Sequence, residues 1–137
     1  MTAKKTIRTF LILLLSYVLL VVIFESALGY FQPENVSTLQ ISTLDDEDNL
    51  SSRIVVRIER EGNLYVAANH WPRAWYREAL AKPSVQIVSE LEQGRYLAVP
   101  VDGDEHDRVN ADHSLGLMFR ILTGFPPRYF LRLDPAG

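Results

Sequence analysis

The sequence contains no cysteine. That excludes disulfides, thiolate nucleophiles and cysteine-ligated metals, so neither a disulfide-stapled fold nor a zinc finger is open to it. The absence assigns no compartment by itself. Glycine and proline number only seven each, too few for a low-complexity chain. No G-x-S-x-G, no P-loop and no H-E-x-x-H is present, which removes support for hydrolase, nucleotidase or zinc-protease chemistry.

Charge is the next thing missing. Between Phe10 and Phe24 no side chain is charged, and only Ser16 and the Tyr17 hydroxyl are polar. The stretch Ile7–Phe24 gives 18 residues, with room to run on to Tyr30. About 20 mostly apolar residues cross about 30 Å of hydrocarbon at 1.5 Å per residue. Residues 7–30 therefore read as a transmembrane helix whose partner is the lipid bilayer, with Tyr30 and Phe31 as interfacial anchors. Lys4, Lys5 and Arg8 precede it, and no Lys or Arg follows until Arg53. The positive-inside rule puts the N-terminus in the cytoplasm and the rest outside a single-pass cytoplasmic membrane. A cleaved signal peptide is the rival reading, with Ala27-Leu28-Gly29 as its best small-x-small site. A buried soluble helix is disfavoured because the stretch is apolar on all faces.

The remainder is acidic. After residue 31 it carries 11 basic and 16 acidic residues. Such a domain repels phosphate backbones, so nucleic acid is not an expected partner. The chain divides into a tip and anchor over 1–31, a connector, edge strand and acidic turn over 32–51, and a folded domain over 52–137.

Within that domain the period-2 pattern dominates. Val36–Leu44 alternates weakly, with Leu39 and Ile41 suggesting an edge strand, and Asp45-Asp46-Glu47-Asp48-Asn49 is an acidic turn. In Arg53–Arg60, Ile54, Val56 and Ile58 face one way, and Arg53, Arg57 and Glu59 the other. Glu61-Gly62-Asn63 is a hairpin turn in which Gly62 and Asn63 supply positive φ, and Leu64–Ala68 returns. Pro72–Lys82 predicts a short helix burying Trp75, Ala79 and Leu80, stopped by Pro83. Ser84–Leu91 and Arg95–Val101 are strands joined by Glu92-Gln93-Gly94. A helix from Asp102 or Gly103 to about Ala111, a helical piece over Leu115–Leu122 and a closing strand at Tyr129–Leu133 complete the chain. About six strands with two or three short helices predict a small mainly-β α+β domain, a closed or half-open barrel behind a membrane helix.

Asn69-His70-Trp71-Pro72-Arg73-Ala74-Trp75-Tyr76 gathers two indoles, a phenol, an imidazole and a guanidinium. It reads as a pocket with Trp for stacking, His70 as proton donor and Arg73 for an anion, or else as core packing around Trp75. Asp102–Asp107 with His106 and His113 is read as acids at a helix start rather than a metal site. Asp45–Asp48 is read as a solvated turn, since it lacks the spacing of a calcium loop. Asn35-Val36-Ser37 and Asn49-Leu50-Ser51 match glycosylation sequons.

The hairpin Glu61–Ala68 followed by Pro72-Arg73-Ala74-Trp75-Tyr76-Arg77-Glu78-Ala79-Leu80-Ala81-Lys82-Pro83 resembles the signature of the deazaflavin-dependent nitroreductase family. Tyr96–Val101 with Gly103–Arg108 is similar to that family's strand and acidic helix start, and Pro127–Pro135 to its closing strand. The resemblance covers about residues 52–135. It implies a split β-barrel related to flavin-mononucleotide oxidase-like folds, binding a deazaflavin or FMN and passing hydride to a quinone or nitro compound. Carried over, Asn69, Trp75 and Tyr76 border the cofactor, with His70 or Tyr76 assisting proton transfer. It also implies a homodimer. One element departs: where the family has a basic, glycine-rich phosphate loop, Leu44–Arg53 has four acids and no glycine. Four carboxylates repel a phosphodiester, and Arg53 alone is left to hold one. The alternative is a degenerate barrel without cofactor that binds a small hydrophobic ligand or an envelope protein.

The topology is directly testable. A reporter that works only in the cytoplasm, fused after Gly137, is expected to be silent, and activity there would reverse the orientation.

Overall fold

A computed structural model of the protein describes residues 2–30, 37–69, 74–125 and 127–137, with backbone alone at 28–30. The Tyr30 side chain, Phe31 and the residues His70, Trp71, Pro72 and Arg73 lie outside the described residues. The chain forms two compact units, residues 1–31 with 115–126, and residues 32–114 with 127–137.

The first unit is built on α1 (Thr2–Tyr30). It contains no proline, and its one glycine comes at Gly29, so nothing interrupts the backbone ladder. Thr2–Ala27, 26 residues, is long and apolar enough to cross a membrane. From Thr2 to Ala27 only Tyr17, Val21, Phe24 and Glu25 are shielded. The first three follow the helical i, i+4, i+7 stripe. Along that stripe lies α4 (Leu117–Leu122). The Tyr17 hydroxyl donates to the Ile121 carbonyl at 2.8 Å, and Phe24 meets Phe119 edge-on with ring centroids 6.0 Å apart.

The second unit is a barrel. Its strands are β1 (Thr38–Leu44), β2 (Leu50–Arg60), β3 (Asn63–Ala68), β4 (Ser84–Val88), β5 (Gln93–Val101) and β6 (Tyr129–Pro135). The order is β1-β2-β3-β6-β5-β4, closed by antiparallel pairing of β4 with β1. Two helices join strands: α2 (Ala74–Ala81) links β3 to β4, and α3 (Gly103–Asp112) follows β5. This is the split-barrel architecture the sequence predicts. The strand expected at an edge is not one. β1 pairs with β2 on one side and β4 on the other, because Leu39 and Ile41 are both buried in the barrel interior. It therefore belongs to the barrel rather than to a connector.

The interior is filled by Leu39, Ile41, Val55, Val66, Ile87 and Leu131 among others. A second cluster lies on the outer face, where Ile58, Tyr65, Ala67, Val101 and Phe130 pack with Val109 of α3. The β2 alternation is thus real, but its apolar set points outward. Val55 faces in with Leu39, and Arg57 stands opposite the buried Val66. Cross-strand partners share a face, so the charged side of β2 lines the barrel. Ile58 is buried only because α3 covers it, while Val56 stays 40% exposed.

Local chemistry sets the turns. Glu61 and Gly62 both take positive φ, 53° and 79°, the pattern of a type I′ hairpin. Positive φ falls one residue earlier than expected, on Glu61 rather than Asn63. The β4–β5 turn also comes early. The Ser89 hydroxyl accepts from the N–H groups of Leu91 and Glu92 at 3.1 and 2.9 Å, folding the chain before Gln93. In α2, Trp75 and Ala79 are buried, but Leu80 is 43% exposed. It sits about 140° round the helix from Trp75 at 100° per residue.

The barrel mouth away from α2 is crossed by a bidentate ion pair between Arg57 and Glu92. The Arg57 guanidinium holds the Glu92 carboxyl below the usual carboxylate range, against burial and with help from Ser89. A depressed carboxyl pKa contributes stability above its unfolded value, about 4.3, and loses it as pH falls through the folded value. Glu92→Gln is expected to cost about 2 kcal/mol at neutral pH and to flatten the acid decline. Urea midpoints of the full chain in detergent, at neutral and acid pH, measure both; an unchanged acid limb would show that the pair contributes nothing.

Candidate functional site

The barrel interior is packed, so a ligand must use an end or an outer face. The end nearest α2 gathers the sequence-predicted residues. Asn69 follows β3 directly and is buried. Trp75 is 6% exposed and belongs to the interior cluster, so it supports the site from below rather than presenting a face. Tyr76 is half-buried and meets Trp75 edge-on at 6.0 Å. Tyr129, the first residue of β6, is stacked on it with centroids 5.2 Å apart and planes inclined by 22°. Tyr129 is 39% exposed. The two phenols form a stacked, partly exposed aromatic pair, the kind of surface on which a flat aromatic ring stacks.

Register explains the meeting. Tyr129 pairs with Ala68, the residue before Asn69, so β6 begins where β3 ends. On the other face of β6, Arg128 holds that junction. Its Nε donates to Asn69 Oδ1 at 2.9 Å and one terminal nitrogen donates to Asn110 Oδ1 at 2.9 Å and the His113 carbonyl at 2.6 Å. The guanidinium lies over the Phe130 ring, 4.8 Å from its centroid. Among the described residues none of its partners is a carboxylate, and burial pushes its pKa below the ordinary arginine value. His106 Nε2 lies 3.0 Å from the Arg128 carbonyl. A carbonyl only accepts, so that nitrogen carries a proton. Arg128 was not read from the sequence as a site residue; the only signal was its place between a proline pair and a strand, and its partners appear only once strand register is known.

Arg53 stands on β2 opposite Ile41 and is half-buried. His70 lies outside the described residues. The β1–β2 turn, where the phosphate loop was expected, is closed on itself. Asp45 Oδ1 accepts from the N–H groups of Glu47 and Asn49, both at 2.9 Å, and those bonds to Asn49 lead in lowering its pKa. Lys82 Nζ clamps the turn through the Asp45 carbonyl and Asp48 Oδ1, each at 2.5 Å. An open cleft of about 400 Å³ beside it is lined by Asp45, Asp46, Ala74, Arg77, Glu78 and Ala81. Three carboxylates against one guanidinium do not make an anion site. Among the described residues no three His, Asp or Glu side chains are grouped to hold a metal ion.

Comparison with known proteins gives the fold. No protein-family model and no curated protein sequence matches the chain. Solved structures do. HutZ, the heme storage protein of Vibrio cholerae, superposes with a TM-score of 0.54 at 20% identity, over 74% of this chain and 82% of HutZ. A reductase dependent on reduced F420, FDR-A, gives 0.55 at 13% identity, over 72% and 95%. A domain-swapped dimer gives 0.58 at 12% identity, over 73% and 81%. The chain shares the split-barrel fold of these proteins.

Arg128→Met would leave Asn69, Asn110 and the His113 carbonyl without their donor. The loss is expected to be about 2–3 kcal/mol, read as a lower urea midpoint of the full chain, with Arg128→Lys recovering only part because an ammonium cannot span the same fork.

Proposed function

We propose that this chain is a membrane-anchored split-barrel protein that binds a planar aromatic ligand on the Tyr76–Tyr129 shelf, and that with a reduced flavin or deazaflavin as that ligand it passes hydride to a quinone or nitro compound. The shelf is the observation that carries the reading. It offers stacked, partly exposed aromatic surface beside the buried Trp75, in a fold shared with an F420-dependent reductase. When bound, such a cofactor supplies the hydride, and one further proton turns a quinone into a hydroquinone. The Tyr76 hydroxyl, or His70, is the chain's candidate proton donor. Asn69, fixed by Arg128, offers a polar edge to the ring. A quinone substrate suits a protein tethered to a bilayer by α1, with its N-terminus inside and its barrel outside.

The β1–β2 turn does not suit the cofactor's phosphate. That turn is acidic, self-bonded and clamped by Lys82. This observation favours a second reading, a barrel without cofactor that takes a small hydrophobic ligand or an envelope partner on the same shelf, alone or as a homodimer.

Titration of the full chain in detergent with FMN and with deazaflavin, followed by tryptophan quenching, separates the two. Saturable quenching weakened about tenfold by Tyr76→Ala, the worth of one aromatic contact, supports the first reading. No response to either ring system ends it and leaves the second.

A further inference from the structure

We infer that Leu115–Phe125, the segment between α3 and β6, is a second membrane element, a short hairpin that enters the bilayer beside α1 from the side of its C-terminal end. The inference rests on the reading of α1 as a membrane span.

Position is the first argument. Tyr17 is the midpoint of the uncharged run Phe10–Phe24. It stands seven residues from either end, about 10 Å of helix at 1.5 Å per residue. Its hydroxyl bonds the Ile121 carbonyl. Whatever depth Tyr17 reaches, Ile121 reaches too. Phe119 against Phe24 extends the contact toward the C-terminal end of α1. At Gly124, φ +76°, a Cβ would come within 3.3 Å of Val21 Cγ1, so the segment's return limb lies close along the same helix.

Composition is the second. Leu115–Phe125 has one charge, Arg120. Leu117, Met118 and Phe125 are 64%, 68% and 51% exposed, which is costly in water and favourable in acyl chains. Hydrogen bonding is the third. Backbone in hydrocarbon must satisfy its own polar groups. Here Arg120 N–H bonds the Gly116 carbonyl, Thr123 N–H that of Phe119, Gly124 N–H that of Ile121, and Phe125 N–H that of Arg120. The Thr123 hydroxyl also turns inward, to the Phe119 carbonyl at 2.8 Å. Arg120 lies over the Phe125 ring, 5.5 Å from its centroid, a cation–π contact that offsets part of the cost of a charge at that depth.

The test uses the full chain, reconstituted in phosphatidylcholine–phosphatidylglycerol vesicles with doxyl-labelled lipid. The chain has no cysteine, so Leu117→Cys, Met118→Cys, Leu13→Cys in α1 and Glu90→Cys in the β4–β5 turn each carry one bimane label. Labels at 117 and 118 are expected to be quenched by lipid as strongly as that at 13, and to be several-fold less sensitive to aqueous iodide than that at 90. Tyr17→Phe should raise the iodide sensitivity at 117. Quenching by lipid at 13 with iodide sensitivity at 117 and 118 overturns the inference and leaves the anchor standing. Iodide sensitivity at 13 as well overturns both. Shielding of 117 and 118 from both quenchers also overturns it, in favour of a protein covering the segment.

Discussion

Three residue pairs, Gln40–Val88, Ile41–Ile87 and Ser42–Gln86, join β4 to β1 and close the sheet on itself. Most of what the second unit can do follows from that closure. A closed six-stranded sheet has no edge on which a peptide adds as a further strand. Its lumen is narrow enough for side chains to fill, and here they do. Chemistry is thereby moved to the barrel ends and to the outer face under α3. In the same barrel β3 and β6 are neighbours, Ala68 pairing with Tyr129 although 60 residues lie between them. The shelf and the Arg128 junction both depend on that one pairing.

The two mouths are treated differently. One is crossed by charge, where Arg57 finds Glu92 and Glu59. The other is covered by α2, where Trp75 and Ala79 bring apolar surface and Glu78 accepts from the Thr43 hydroxyl at 2.5 Å. A charged plug is specific but gives no surface for a flat apolar ring. The α2 end gives exposed aromatic area backed by a rigid core. This asymmetry is why the α2 end, and not the ion-paired end, is the candidate site.

Much of this was legible in the sequence. Hairpins announced themselves through Glu61-Gly62 and the alternating strands, and α2 through Trp75, Ala79 and the stop at Pro83. Facing was harder. In β2 the alternation separated Ile54, Val56 and Ile58 from Arg53, Arg57 and Glu59 without saying which side faces in, and the charged side lines the barrel, where Glu92, from the far β4–β5 turn, neutralises Arg57. Period alone cannot tell in from out when both faces carry partners. The site was half legible. Asn69 and Tyr76 could be named from a resemblance, but Arg128 and Tyr129 acquire meaning only through register. The pairing of α4 with α1 had no local signal, since Tyr17 and Ile121 are 104 residues apart.

The β1–β2 turn and α2 together bear most directly on what kind of ligand the barrel takes. Asp45 spends its carboxylate on its own turn, and Lys82, the cation best placed to counter the acids, is spent on Asp48 and the Asp45 carbonyl. A phosphate arriving there would have to displace bonds already made and face the remaining carboxylates. Among the described residues the acceptors that hold Arg128 are neutral, so no carboxylate cancels its charge there. The acidic turn therefore does not argue against a stacked ring; it argues against a ring that carries its phosphate tail in the direction of that turn.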